Sequence, residues 1–290
     1  MSSFSNILTL AEAKTNDLIS IKKSIVLAKK SNGHVTVLST RQKPSSYHRW
    51  INNTKYNNCE NSEQIERLVN FAKQQGVAID YEIREEKSQF AALKRQLENY
   101  QYDLIVAEHR KEAPKLWPFD GAEYSKLLNV SDTSVLFVGE HRWRDNGNIL
   151  AAIETEENTL NHLTFNDEII VKANVLAKLL MSNIHLFNCY LENCSVSFTE
   201  DVPTMEFAHH LDHLTSLVKT YHLEDKYLHV EEGLADDVIP IQAQKFDANV
   251  VVIGCGEHKG WLSKIKGHTV DYVLDNLECD LLALKQTVVH

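Results

Sequence analysis

VVVIGCGEHKGWLSKIKGHTVDYVL, residues 250–274, sets an apolar β-branched run against a loop holding Gly254, Gly256, Gly260 and Gly267, and then a segment with helical spacing of its apolar residues. The chain has ten glycines, and four of them stand in this stretch. Glycine turns the backbone through φ > 0 and lets a ligand come close to peptide N–H groups. A strand opening into such a loop and then a helix reads either as a phosphate cradle or as an ordinary flexible turn.

The same pattern occurs earlier. Residues 103–138, DLIVAEHRKEAPKLWPFDGAEYSKLLNVSDTSVLFV, lie without gaps on residues 249–284, so that Asp103 meets Asn249 and Gly121 meets Gly267. In this register Leu104–Ala107 fall on Val250–Ile253 and Val135–Val138 on Leu281–Leu284. These short apolar runs have the length of buried strands. Between them Tyr124, Leu127 and Leu128 fall on Val270, Val273 and Leu274, an i, i+3, i+4 spacing that gives a helix one apolar face.

Upstream the repeat is looser. NILTL (6–10) resembles NILAAI (148–153), and helices are predicted near 17–30 and 167–181. HVTVLS and IHLFNCY follow as strands, then helices near 62–75 and 205–221, the strands VAIDYEI and KYLHVE, and third helices near 89–100 and 236–246. Short strands alternating with such helices mean βαβ units and a parallel sheet covered on both faces. The fold class is α/β: two tandem doubly wound domains of five strands each, 1–142 and 143–290. Their boundary lies in the charged, aperiodic GEHRWRDNG, 139–147. Ligands of such folds bind at the carboxyl ends of the strands, where the order of travel reverses, and the Gly254 loop leaves the fourth strand of the second domain there.

On these residues the chain resembles the universal stress protein family, and two such domains in one chain resemble its tandem, E-type members. GCGEHKGWLSKIKGHTVDYVL is similar to the family's nucleotide loop: glycine, two residues, glycine, nine residues, then glycine before serine or threonine. Gly254 matches the first glycine and Gly267 the third, while Glu257 holds the second place and His268 that of the hydroxyl. Gly256 and Thr269 stand beside the two vacant places. The resemblance also implies that Glu154 takes the place of a base-facing aspartate after the first strand. Cys189, or its immediate neighbour, takes that of a residue lining adenine. In the first domain Glu108, Lys111 and Ala122 stand at the motif positions and Leu10 and Ala11 near the aspartate's place, so nucleotide binding is expected in the second domain only.

The implied function is a non-catalytic, cytoplasmic stress-response module. Its second-domain site comprises Glu154, Cys189, Ile253, Gly254, Gly256, Gly267, His268 and Thr269 and takes ATP, AMP or another small ligand. A nucleotide hydrolase or phosphotransfer enzyme of related fold, and a binder of an apolar, lipid-like ligand, stand as alternatives. The two halves are expected to form an internal pseudo-dimer, and a homodimer of chains is left open.

A formal net charge of −10 argues against nucleic acid as a partner, because phosphate binding needs clustered Lys and Arg. No apolar run is long enough to span a bilayer, and the first residues lack a secretory pattern. The five cysteines include no CxxC pair, which argues against a disulfide framework or a zinc ribbon. His209 and His213 stand four apart in one predicted helix, but no HExxH accompanies them, and no metal is expected. Walker, GxSxG and first-strand GxGxxG patterns are absent, and Cys255 beside His258 has no third group to orient a base.

Overall fold

The structure, a computed structural model, describes residues 4–11, 18–41, 58–86, 88–109, 123–130, 132–155, 160–191, 205–221, 223–255 and 268–286. The chain divides into two compact units, with Glu140 the last residue of the first and His141 opening the C-terminal run of the second. Before Glu140 it runs β1 (Asn6–Ala11), α1 (Ile19–Ser31), β2 (His34–Arg41), α2 (Asn58–Gln74), β3 (Ala78–Glu85), α3 (Gln89–Asn99), β4 (Leu104–Glu108), α4 (Glu123–Val130) and β5 (Val135–Val138). From His141 the order recurs: β6 (Asn148–Ala152), α5 (Leu160–Leu180), β7 (Asn183–Tyr190), α6 (Met205–Tyr221), a 3-10 turn (Asp225–Tyr227), β8 (Leu228–Glu232), α7 (Ala235–Lys245), β9 (Ala248–Cys255), α8 (His268–Asn276) and β10 (Asp280–Lys285).

The strands of the first unit are ordered β3-β2-β1-β4-β5 and those of the second β8-β7-β6-β9-β10. Every pair within each unit is parallel. The fold is therefore α/β with two tandem doubly wound domains, as the repeat predicts. The chain winds outward from β6 to β8 and then returns past β6 to β9, which opens the crevice between β6 and β9. Sequence composition follows position in the sheet. Central β4 and β9 are buried along almost their whole length, whereas edge strands β3 and β8 alternate or stay half-exposed.

The repeat extends to details that periodicity does not carry. Asn32 and Met181, which follow α1 and α5, both take left-handed backbone with φ 52. Asp103 Oδ2 accepts from the backbone N–H groups of Ser5 at 3.1 Å and Asn6 at 3.0 Å, fixing the entry to β1. Its counterpart Asn249 accepts from the Arg144 N–H at 2.9 Å and donates to the Arg144 carbonyl at 2.8 Å, fixing the entry to β6.

One expectation shifts. Helix α5 starts at Leu160 rather than near Asp167, because Phe165 and Asn166, read as part of a polar loop, are held by tertiary contacts described below. Within the aperiodic stretch, residues 141–144 are held by the second unit. His141 Nε2 lies 3.0 Å from the Asn249 carbonyl, Trp143 Nε1 donates to Asp280 Oδ2 at 2.7 Å, and Arg144 pairs with Asp247. At Gly147 a Cβ would stand 2.3 Å from Asn249 Nδ2, so the strap requires glycine there.

Candidate functional site

The candidate site lies in the second unit, at the carboxyl ends of β6, β7 and β9. Beyond β6 the chain continues through Ile153, Glu154 and Thr155, all buried. Asn166 of α5 grips this extension from both sides: its Oδ1 accepts from the Glu154 N–H at 3.2 Å, and its Nδ2 donates to the Glu154 carbonyl. Asn188 of β7 donates through Nδ2 to the Ile153 carbonyl at 2.9 Å, while its buried Oδ1 has no hydrogen-bond partner among the described residues. His210 of α6 bonds through Nδ1 to Thr155 Oγ1, and its ring lies 5.3 Å from that of Tyr190 at 25°. Tyr190 in turn meets Phe207 edge-on.

Four of the expected site residues fall within this arrangement. Glu154 is buried at the end of β6. Cys189 and Ile253 are buried in β7 and β9, at 1% and 0% exposure, and so contribute apolar packing at this level. Gly254 faces α5: a Cβ there would stand 2.3 Å from Phe165 Cε1 and 2.9 Å from Ile169 Cδ1. Its missing side chain is thus filled by the protein's own Phe165. His268 and Thr269 open α8, and their side chains lie outside the described residues. Gly256 and Gly267 lie outside them too, as do Glu257 and His258, and the side chains of His209 and His213.

Sequence reasoning missed Asn166, Asn188, Thr155 and His210. The available signal was a polar residue, Asn166, between the apolar Phe165 and Ile169–Ile170 of an otherwise inward helix face. Burial pushes the Cys255 thiol up to about 12, which favours the protonated form at neutral pH. Among the described residues no group of three or more His, Cys, Asp or Glu side chains is placed to hold a metal ion. No described helix is long and apolar enough to cross a membrane.

No protein-family model matches the sequence. Universal stress protein E of Photorhabdus laumondii is 20% identical over 309 residues, spanning 98% of this chain and 96% of its own length. Universal stress protein E of Escherichia coli K12 is 26% identical over 222 residues, 72% of this chain and 69% of its own. A crystal structure of a universal stress protein from Pseudomonas aeruginosa UCBPP-PA14 is 25% identical, with a TM-score of 0.74, and covers 98% of this chain and 94% of that one. Both likenesses that run nearly end to end take in both repeats. Along nearly its whole length the chain is similar to universal stress proteins.

Among the described residues the first unit has no polar cluster equivalent to that of the second. Its β1 ends in Leu10 and Ala11, both buried, with no carboxylate at that place. The side chains behind them pair with one another: Thr9 Oγ1 donates to Ser24 Oγ at 2.6 Å, and Ser20 Oγ donates to the Leu10 carbonyl at 3.1 Å. Residues 110–122, where its loop departs most from the glycine pattern, lie outside the described residues.

Proposed function

We propose that this protein is a non-catalytic binding module of the stress response, and that its second unit receives an adenine nucleotide, ATP or AMP, or a comparable small ligand at the carboxyl ends of β6, β7 and β9. The observation that carries this is Asn188 Oδ1, a buried acceptor with no partner among the described residues, on β7 beside the chain that extends β6. A buried unpaired acceptor costs about 1–3 kcal/mol, so a ligand bringing an N–H group, as an adenine amine does, relieves it. Gly254 and Gly267 at the family's glycine places support the same end of the unit as the site.

Calorimetric titration with ATP and AMP, with and without Mg²⁺, followed by a phosphate-release assay, tests this. Binding without turnover is the expected result. Gly267→Val removes that affinity by crowding the loop, and Asn188→Ala weakens it about tenfold while also lowering the melting temperature, since the Ile153 carbonyl loses its donor. Phosphate release dependent on the protein overturns the non-catalytic assignment.

One observation favours a second reading. Phe165 packed on Gly254, with Ile253 and Cys189 buried beside it, makes this end of the sheet apolar. An apolar ligand displacing Phe165 fits that surface, and silence toward both nucleotides together with an apolar molecule retained through native purification selects it.

A further inference from the structure

A groove of about 290 Å³ lies between α7 and α8. It is lined by Asp236, Asp237, Pro240 and Ile241 of α7, by Tyr272 of α8 and by Glu278 in the connection to β10. Two large side chains stand open along it: Ile241 is 60% exposed and Tyr272 49%. Singly such exposure is ordinary, but two together in one concavity suit a surface that another molecule covers.

Among the described residues no cation stands against the carboxylates of this groove. None of its three carboxylates meets a lysine or arginine among the described residues, and Lys245, the basic residue in the last turn of α7, is engaged by Glu231 at 3.1 Å. Tyr272 reaches Asp237 at 3.5 Å, a long contact that leaves most of the carboxylate's acceptor capacity unused. Burial and the neighbouring Asp237 both push the Asp236 carboxyl above the usual carboxylate range, as expected of like charges held together without a cation. Pro240, lacking an N–H, cannot donate to the Asp236 carbonyl and adds to the acceptor character of the same turn.

We propose that this groove docks a basic amphipathic segment of a partner protein, whose lysine or arginine meets Asp236, Asp237 and Glu278 while an apolar side chain covers Ile241 and Tyr272. Charge complementarity selects this occupant over a second copy of the chain, which carries a net charge of −10. The groove runs between two helices, so a helix with apolar and basic residues one turn apart matches it.

The probe is a fluorescein-labelled synthetic helix with leucine and lysine one turn apart on one face, titrated with the full chain and read by anisotropy. Its charge-reversed analogue, with glutamate for lysine, is the counter-probe. The basic helix binds and the reversed one does not. The triple variant Asp236→Asn, Asp237→Asn, Glu278→Gln and the single variant Ile241→Ser each weaken binding about tenfold. A control neutralising the exposed Glu66, Glu98 and Asp212 leaves it unchanged.

Equal weakening by that control makes the binding a bulk charge effect and overturns the proposal. Insensitivity to Ile241→Ser, with displacement by spermidine, reduces the groove to a cation site and overturns it too. So does a dimer of the chain in ultracentrifugation that Ile241→Ser dissociates, which would give the groove to a second copy.

Discussion

His185 Nδ1 lies 2.8 Å from His229 Nε2, and a chain of donors fixes which ring carries the shared proton. Asn148 Nδ2 donates to the Phe246 carbonyl at 2.6 Å, which leaves Asn148 Oδ1 as an acceptor 3.2 Å from His185 Nε2. His185 therefore donates through Nε2 and accepts through Nδ1, and His229 donates through Nε2. The two ring planes lie within 18° of one another, side by side. His229 also packs on Phe246 at 4.1 Å, and His185 meets Tyr227 edge-on.

This pair gives the second unit a defined pH dependence. Burial, then the neighbouring His185, then Lys245, against the opposing pull of Glu231, lower His229 from 6.5 to about 4, and burial lowers His185. A histidine held neutral in the fold stabilises fully above its unfolded value. That contribution drains as pH falls from about 6.5 toward about 4. Urea unfolding at pH 7.5, 6.5 and 5.5 should show a declining midpoint, and His229→Gln, which keeps a donor toward His185, should flatten the decline. An equally steep decline in the variant refutes the assignment.

Gly254 and Phe165 make the second prediction. Gly254 is not in left-handed backbone, so only space decides what it tolerates. A methyl group there collides with the Phe165 ring, and Gly254→Ala should destabilise the protein by about 1–3 kcal/mol, the usual cost of overpacking. Phe165→Val should recover most of that loss in a double-mutant cycle read by urea unfolding. Additive effects of the two substitutions would mean that Gly254 serves something other than α5.

The clamp on Glu154 gives a third. Asn166→Asp keeps an acceptor for the Glu154 N–H but loses the donor to the Glu154 carbonyl and sets a second carboxylate near the first. It should cost about 1–3 kcal/mol at neutral pH. The cost should shrink at acidic pH as the new carboxyl takes up a proton and regains a donor. A penalty that does not change with pH would place the damage in packing instead.

The strands were legible because those at the centre of a covered parallel sheet are apolar throughout, so Val250–Ile253 and Leu281–Leu284 announce themselves without context. Helix α6 begins and ends at Met205 and Tyr221 as its spacing indicates, since an amphipathic stripe is a local property. The start of α5 was not legible, because Phe165 and Asn166 are held by Gly254 and by Glu154, partners in other elements. For the same reason the glycine at 254 was readable as a glycine but not as to its use. Two causes for a glycine, a ligand's approach and a neighbour's ring, leave the same letter in the sequence. Asn188 and His210 were silent because their partners, Ile153 and Thr155, lie 35 and 55 positions away.

The last prediction concerns the strap between the repeats. Asp280 is buried, accepts the Trp143 indole N–H at 2.7 Å and lies 3.4 Å from His141 Nδ1. Ser134 occupies the matching place in the first repeat, so the carboxylate answers to residues 141–143 and not to a need of the fold itself. Asp280→Ala leaves the indole N–H without its acceptor and should cost about 1–3 kcal/mol, whereas Asp280→Asn retains an acceptor and should cost less. Release of Trp143 should also shift fluorescence to longer wavelength in Asp280→Ala, and the shift should vanish in a Trp143→Phe background. A shift that persists without Trp143 would mean that Asp280 acts on another part of the chain.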